Sequence, residues 1–357
     1  MNRFMVQVQR RYGGLLRPSK LLCGTASLDA SPASAYSSGV NPLRMILTLL
    51  FLTVVSTHAA NRGKRITHSP NALLPKAEVM KLTGDWKGAK LSRDIRILWL
   101  TGQEDHRGGE HDYIRIKELF VPMLKTIPRV TVDEAFGFPS GKQFEQADLL
   151  IQYLHLPDLT EKQFATYQNF VDRGGRVVSI HESCIIRPVA RAEKLAGIIG
   201  GSWKGNQTSR WSKFGHDTPL FLKTDHPAFA GLPKSVQLND ESYWNLLGRE
   251  EIEVIGAIAP KAQGNSPFEK LLKSKDVRPD AFWTYASGKG KVFGTTTGHY
   301  TYTYHDPIYR LLLLRGIAWA IDEDPAPFMP LVFHGITNDQ DLVGTNDTMM
   351  DYRNRKR

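Results

Sequence analysis

Ile95-Arg96-Ile97-Leu98-Trp99-Leu100 is a short, nearly continuous apolar run that stops at Thr101-Gly102. A half-buried strand alternates apolar and polar residues, whereas a run apolar on both faces is the mark of a strand buried within a parallel sheet. Downstream, Tyr113, Ile116, Phe120 and Leu124 recur at helical spacing. Val130-Thr131-Val132 and residues 148–154 (DLLIQYL) predict the next two strands. A helix over 160–171 opens with a Thr160-x-x-Gln163 capping box and stops at Gly174-Gly175. Residues 176–180 (RVVSI) predict a fourth strand, and 188–199 a helix closing on Gly200-Gly201. Strands alternating with helices of this length argue for βαβ units around a central, mostly parallel sheet, an α/β fold.

The rhythm breaks over residues 202–250, where Trp203, Trp211, Phe214, Tyr243 and Trp244 sit among polar residues. So many aromatics argue against disorder. Exposing them together would create a large apolar patch. The stretch is therefore expected to fold over the carboxyl edge of the sheet as a lid or wall. Strands resume over 252–257, 281–285 and 291–296, and 307–321 predicts an amphipathic last helix. The tail after Pro325 ends in a basic run expected to be mobile.

The net charge of +10 is unevenly placed. Residues 1–59 hold Arg3, Arg10, Arg11, Arg17, Lys20 and Arg44 against Asp29, and Arg62, Lys64 and Arg65 follow closely. Basicity thus belongs to the N-terminus, and no nucleic acid partner is expected. Residues 45–55 (MILTLLFLTVV) are too short to span a bilayer, which takes roughly 20 residues, but fit a signal-peptide core. Small residues at Thr57 and Ala59 suit cleavage. The expected division is a signal peptide with a long basic extension over 1–60 and a linker and approach segment over 61–92. The main domain follows over 93–324, and a C-terminal tail over 325–357. The protein is expected to be exported, periplasmic or secreted, with no transmembrane span in the mature chain. Two cysteines exclude a disulfide scaffold or a Cys-based zinc fold. Cleavage would leave Cys184 alone, three residues past the position a nucleophile elbow requires.

In an open parallel sheet the ligand sits at the carboxyl ends of the strands. The first strand leads to Glu104, Asp105, His106, Glu110, His111 and Asp112; the fourth to His181 and Glu182; the strand at 291–296 to His299 and Tyr300. A neutral imidazole suits general acid–base work. Two or three His with a carboxylate could equally hold a divalent metal, assembled across strands because HExxH is absent. His181 and His299 are expected to face one cavity, with Asp240 or Glu241 within hydrogen-bond reach of one of them. Trp203, Trp211, Tyr243, Trp244 and Tyr300 are candidates for stacking on a flat apolar face of the ligand.

Several stretches together resemble the ThuA-like family, named for trehalose utilisation. They are Glu110-His111-Asp112-Tyr113, residues 174–181 (GGRVVSIH), 226–233 (HPAFAGLP), Asp240-Glu241-Ser242-Tyr243, 288–299 (GKGKVFGTTTGH) and 315–320 (RGIAWA). The resemblance implies a flavodoxin-like three-layer sandwich related to class I glutamine amidotransferases. It places His181 near the position of their nucleophilic Cys, so glutaminase activity is not implied. It also implies sugar or glycoside metabolism. Catalytic candidates are His111, His181, Glu182, Asp240, Glu241 and His299, in a hydrolase or lyase acting on glycosides. The alternative is a non-catalytic carbohydrate-binding or scaffolding protein. The expected partner is a small carbohydrate substrate, with the cofactor undetermined and a homo-oligomer left open.

Overall fold

A computed structural model describes residues 74–106, 108–205, 208–215, 218–248, 251–258 and 280–335. The proposed signal peptide, His216 and the last 22 residues lie outside the described residues. The chain enters through helix α1 (Lys76–Thr83) and strand β1 (Ile95–Thr101). It continues through α2 (Tyr113–Lys125), β2 (Val130–Phe136), α3 (Gly141–Gln146) and β3 (Leu149–Gln152). Next come α4 (Glu161–Asp172), β4 (Arg176–Ile180) and α5 (Ala192–Ile199). The short strands β5 (Gly201–Ser202), β6 (Arg210–Phe214), β7 (Pro219–Leu222), β8 (Ser235–Gln237), β9 (Asp240–Trp244) and β10 (Leu247–Gly248) follow. Strands β11 (Glu253–Ile258), β12 (Asp280–Ser287) and β13 (Gly290–Thr295), then α6 (Pro307–Ala320), complete the described elements.

Nine strands form one sheet in the order β2-β1-β3-β4-β13-β12-β11-β7-β8. The five from β2 to β13 pair in parallel, the flavodoxin-like arrangement. From β13 onward every pairing is antiparallel, so the sheet is mixed, with a parallel heart and an antiparallel wing. Successive side chains of a strand point to opposite faces. Ile95, Ile97 and Trp99 of β1 accordingly pack with α1, α2 and α6, while Leu98 and Leu100 pack with α3, α4 and α5. The result is helices on both faces of a sheet, the three-layer sandwich that the family resemblance implies.

The Thr160–Gln163 capping box forms as predicted, and the same device, Ser140–Gln143, opens α3. Helix α6 is capped by Asp306, whose side chain accepts from the Ile308 amide at 2.8 Å, with Pro307 in the first turn. Two terminal segments differ from the expected division. The stretch read as a linker contains α1, anchored by fully buried Val79. The start of the tail is a 3-10 run, Ala326–Phe333, that buries Phe328, Met329 and Val332. Arg310 fixes it by donating to the Val332 and His334 carbonyls. Apolar side chains spaced too irregularly to signal a helix still bury here. No described helix is long and apolar enough to cross a membrane.

Candidate active site

The loops that leave β1 and β13 are stitched together above the parallel heart of the sheet. The His111 amide donates to the His299 carbonyl at 2.9 Å, and the Thr301 amide to the Gly109 carbonyl at 3.0 Å. Asp112 accepts from the Gly109 amide at 2.9 Å and from the Thr301 hydroxyl at 2.5 Å. His181 begins a 3-10 turn directly after β4. Both His111 (φ 51°) and His181 (φ 50°) sit in the left-handed region. For residues other than glycine this costs about 1–3 kcal/mol each, and such strain concentrates at functional sites. Gly298 (φ 114°) precedes His299, where an added Cβ would lie 2.6 Å from the Tyr304 hydroxyl and 2.7 Å from that of Tyr309. Only glycine lets the chain turn here and aim His299 inward.

Three buried imidazoles meet at this point. His181 Nε2 lies 3.0 Å from His111 Nε2 and 3.2 Å from His299 Nδ1, and the last two are 2.8 Å apart. His181 and His299, expected to face one cavity, do meet, with His111 as the third member, but only His111 and His299 line the cavity and His181 lies buried behind them. His181 Nδ1 is 2.6 Å from the Thr296 carbonyl, which can only accept, so this nitrogen carries the proton and Nε2 presents a lone pair. The Tyr243 hydroxyl lies 2.8 Å from that lone pair. Burial, then the neighbouring His111, pulls the His181 imidazole down to about 3. Burial likewise holds His299 well below the ordinary histidine range. Both are neutral at physiological pH.

His111 differs because its other nitrogen meets carboxylates. Nδ1 lies 2.7 Å from Glu182 and 3.0 Å from Asp105. Burial disfavours its charge, but Asp105 and Glu182 outweigh that and lift the imidazole to about 9. Glu182 also takes His155 Nδ1 at 2.9 Å and a short hydrogen bond from the Tyr113 hydroxyl. His111 and His155 overcome the cost of burial and hold this carboxylate at about 2. Asp105 joins His106 at 2.9 Å and His155 at 3.3 Å. Sequence reasoning missed His155 altogether. Yet it follows β3, and the same rule that selected the other strand ends would have found it.

Asp240 and Glu241 separate. Strand β9 pairs with β6 as a two-stranded antiparallel ribbon, Trp211 opposite Tyr243 and Lys213 opposite Glu241. Trp211, Lys213, Glu241 and Tyr243 therefore share one face, and all four line the cavity. The alternate residues turn away. Asp240 is fully buried and accepts from the Gly298 and His299 amides, so it braces the backbone that carries His299 and does not touch an imidazole. Glu241 lies 3.6 Å from His299 Nδ1, ion-pair range but too far for the hydrogen bond expected. Burial lifts its carboxyl to about 8, against the pull of His111 and Lys213 and aided by Asp240.

The cavity has a volume of about 790 Å³, ample for a small ligand. His111, Glu182 and His299 form its floor, and Trp203, Trp211, Val189 and Arg187 stand among its walls. The wall expected from the irregular stretch is the β6–β9 ribbon. Trp203 and Tyr243 are buried against each other, ring centroids 5.1 Å apart, while Trp211 is 56% exposed. Two stacking candidates are corrected. Trp244 is 1% exposed and donates to Ser212 on the far face of the ribbon. Tyr300 stacks on Tyr302 and edges onto His299 from outside the cavity lining. In both, strand alternation or a tight turn set the direction. Cys184 is buried, which pushes its thiol up and leaves no nucleophile there.

A likeness to solved structures supports the fold. A ThuA-like protein from Bacteroides uniformis superposes with a TM-score of 0.51 at 16% identity, covering 68% of this chain and 99% of that one. A ThuA-like protein from Parabacteroides merdae gives 0.49 at 18%, covering 64% and 90%. A cytoplasmic protein from Salmonella typhimurium is a more distant likeness, with a TM-score of 0.40 at 10% identity, covering 63% and 98%. No curated protein matches the chain. The family model for ThuA, described as trehalose utilisation, matches residues 96–320, the span that carries β1, every group in the cavity floor and α6, and the chain belongs to that family.

Proposed function

We propose that this protein is an exported enzyme of carbohydrate metabolism that acts on a sugar or keto-glycoside by acid–base chemistry. The convergence of His111, His299 and Glu241 on one cavity beneath an aromatic wall, with His181 in contact with both imidazoles, carries this reading. Breaking a glycosidic C–O bond requires a proton at the departing oxygen, and groups whose environments push their pKa values apart divide the acid and base roles. Glu241, held protonated by burial, faces the cavity and is the proton donor. Neutral His299 faces the same cavity, its Nδ1 3.6 Å from this carboxyl. Trp211 and Trp203 offer flat apolar surface to a sugar ring. Export rests on the apolar run 45–55 and the small residues at 57 and 59.

The test is a turnover screen of the purified protein on unmodified and 3-keto disaccharides. Glu241→Gln should keep sugar binding and lose turnover. Binding without turnover of any sugar by the wild type would favour the non-catalytic alternative. N-terminal sequencing of exported protein should find a start near Ala60, and a start before Met45 refutes export by this signal.

A further inference from the structure

We propose that His111, His181 and His299 bind one divalent d-block ion of the zinc class, with the fourth position open to the cavity. The inference rests on the reading of this cavity as a reaction site, but its evidence is the geometry of the three imidazoles. Their facing nitrogens are 2.8–3.2 Å apart. Tetrahedral zinc with bonds of about 2.0–2.1 Å holds its nitrogens about 3.3 Å from one another. Shifts of a few tenths of an ångström therefore admit the ion. Three protein ligands and one free position are the pattern of catalytic rather than structural zinc sites.

The surroundings orient the ligands. A metal-bound His usually donates its other N–H to a carboxylate or carbonyl, which fixes the ring and aims the lone pair. His181 does so to Thr296, and His111 to Glu182 and Asp105. His299 is aimed by the brace of Asp240 on its backbone amide and by the turn at Gly298. Two of the three ligands have left-handed backbones. A fold that needed only packed side chains here would have no reason to retain that strain.

A second group, Asp105, His106, His111 and Glu182, also lies close enough to suggest an ion. Its carboxylate oxygens already face His106, His111 and His155 Nδ1 atoms and the Tyr113 hydroxyl. Those oxygens serve as acceptors for the ligand-bearing rings, so the ion is assigned to the three imidazoles. Bound there, it would polarise an oxygen of a sugar seated in the cavity.

The protein should be stripped with a chelator, dialysed and titrated with Zn²⁺ by calorimetry, and with Co²⁺ by visible absorption. We expect one equivalent of zinc, and the intense bands of four- or five-coordinate cobalt. Glu182→Gln should weaken zinc binding about 10–100-fold, as loss of an outer hydrogen-bond partner does. His111→Ala, His181→Ala and His299→Ala should each weaken it further, in protein shown folded by circular dichroism. His106→Ala should leave it unchanged. Absence of stoichiometric zinc binding by the wild type overturns the proposal, even if every His variant unfolds. So does binding that survives in the folded His→Ala variants but is lost in His106→Ala. Turnover by metal-free protein would sink the metal and spare the enzyme. Zinc bound with no turnover on any sugar would do the reverse.

Discussion

The cavity has two walls of different construction. Its floor comes from the ends of parallel strands, where His111, Glu182 and His299, and His181 behind them, are almost wholly buried and each is held by hydrogen bonds. The opposite wall is the two-stranded β6–β9 ribbon, which offers Trp211 and Lys213 as exposed groups beside buried Tyr243 and Glu241. Strand ends at the heart of a sheet cannot move without disturbing both helical layers, so they suit groups that need fixed geometry. A ribbon outside the main sheet can vary its exposed face at little cost to the core. On the proposed reading, the floor and the buried Glu241 of the ribbon carry the chemistry, and the ribbon's exposed groups, Trp211 and Lys213, select the substrate.

Loss of the imidazole that touches both floor histidines tests that division most severely. His181→Ala should lower turnover about 10²–10⁴-fold, the usual worth of a positioned acid–base group, in protein that remains folded. Survival of activity within tenfold would show that the floor is not where the reaction occurs. Next in size is the dependence on pH. Glu241 donates only while protonated, so kcat should fall about tenfold per pH unit above about 8. The stability contribution has the same sign. A carboxyl raised from 4.5 to about 8 by folding favours the folded state fully below 4.5, and that contribution is lost as pH rises through 8. Glu241→Gln should remove this group's share of the pH slope in stability, which denaturant titrations of wild type and variant at pH 6 and pH 9 would reveal.

A backbone lesion comes third. Gly298→Ala should cost about 1–3 kcal/mol from the left-handed φ alone, and more from the contact with Tyr304 and Tyr309. Urea unfolding measures it, and an unchanged midpoint would mean the turn is not constrained as described. The smallest effect belongs to the ribbon. Trp211→Ala should leave stability within about 0.5 kcal/mol, since the ring is largely exposed. It should raise KM roughly 3–10-fold with kcat intact, in keeping with about 0.5–1.5 kcal/mol for a stacked ring. A drop in kcat with KM unchanged would move Trp211 from selection into chemistry.

The parallel heart was legible in the sequence because strands buried on both faces are apolar throughout, as in Ile95–Leu100 and residues 176–180. The convergence of His111, His181 and His299 was legible for the same reason, since strand ends fix where the following residue goes. The partners of those residues were not. Glu182 and Asp105, rather than Asp240 or Glu241, hydrogen-bond an imidazole, and pairing across loops depends on turns that no spacing encodes. Helix α3 carried the same Ser-x-x-Gln signal used elsewhere, but six residues gave too short a period to notice. In the ribbon the alternation was present in Trp211-Ser212-Lys213 and Glu241-Ser242-Tyr243, hidden by aromatics on both faces.

That alternation places a brace and a proton donor at adjacent positions, Asp240 and Glu241. A strand shifted by one residue exchanges its two faces. One inserted or deleted residue within β9 would therefore turn Glu241 into the backbone beneath His299 and swing Asp240 into the cavity, a shorter acid at a different depth. Relatives of this protein should thus vary the ribbon by replacing side chains and reserve changes of length for the connections on either side. Engineering of its specificity is bound by the same arithmetic: libraries at 211 and 213 explore new ligands, while indels between 240 and 244 exchange the two faces of the strand.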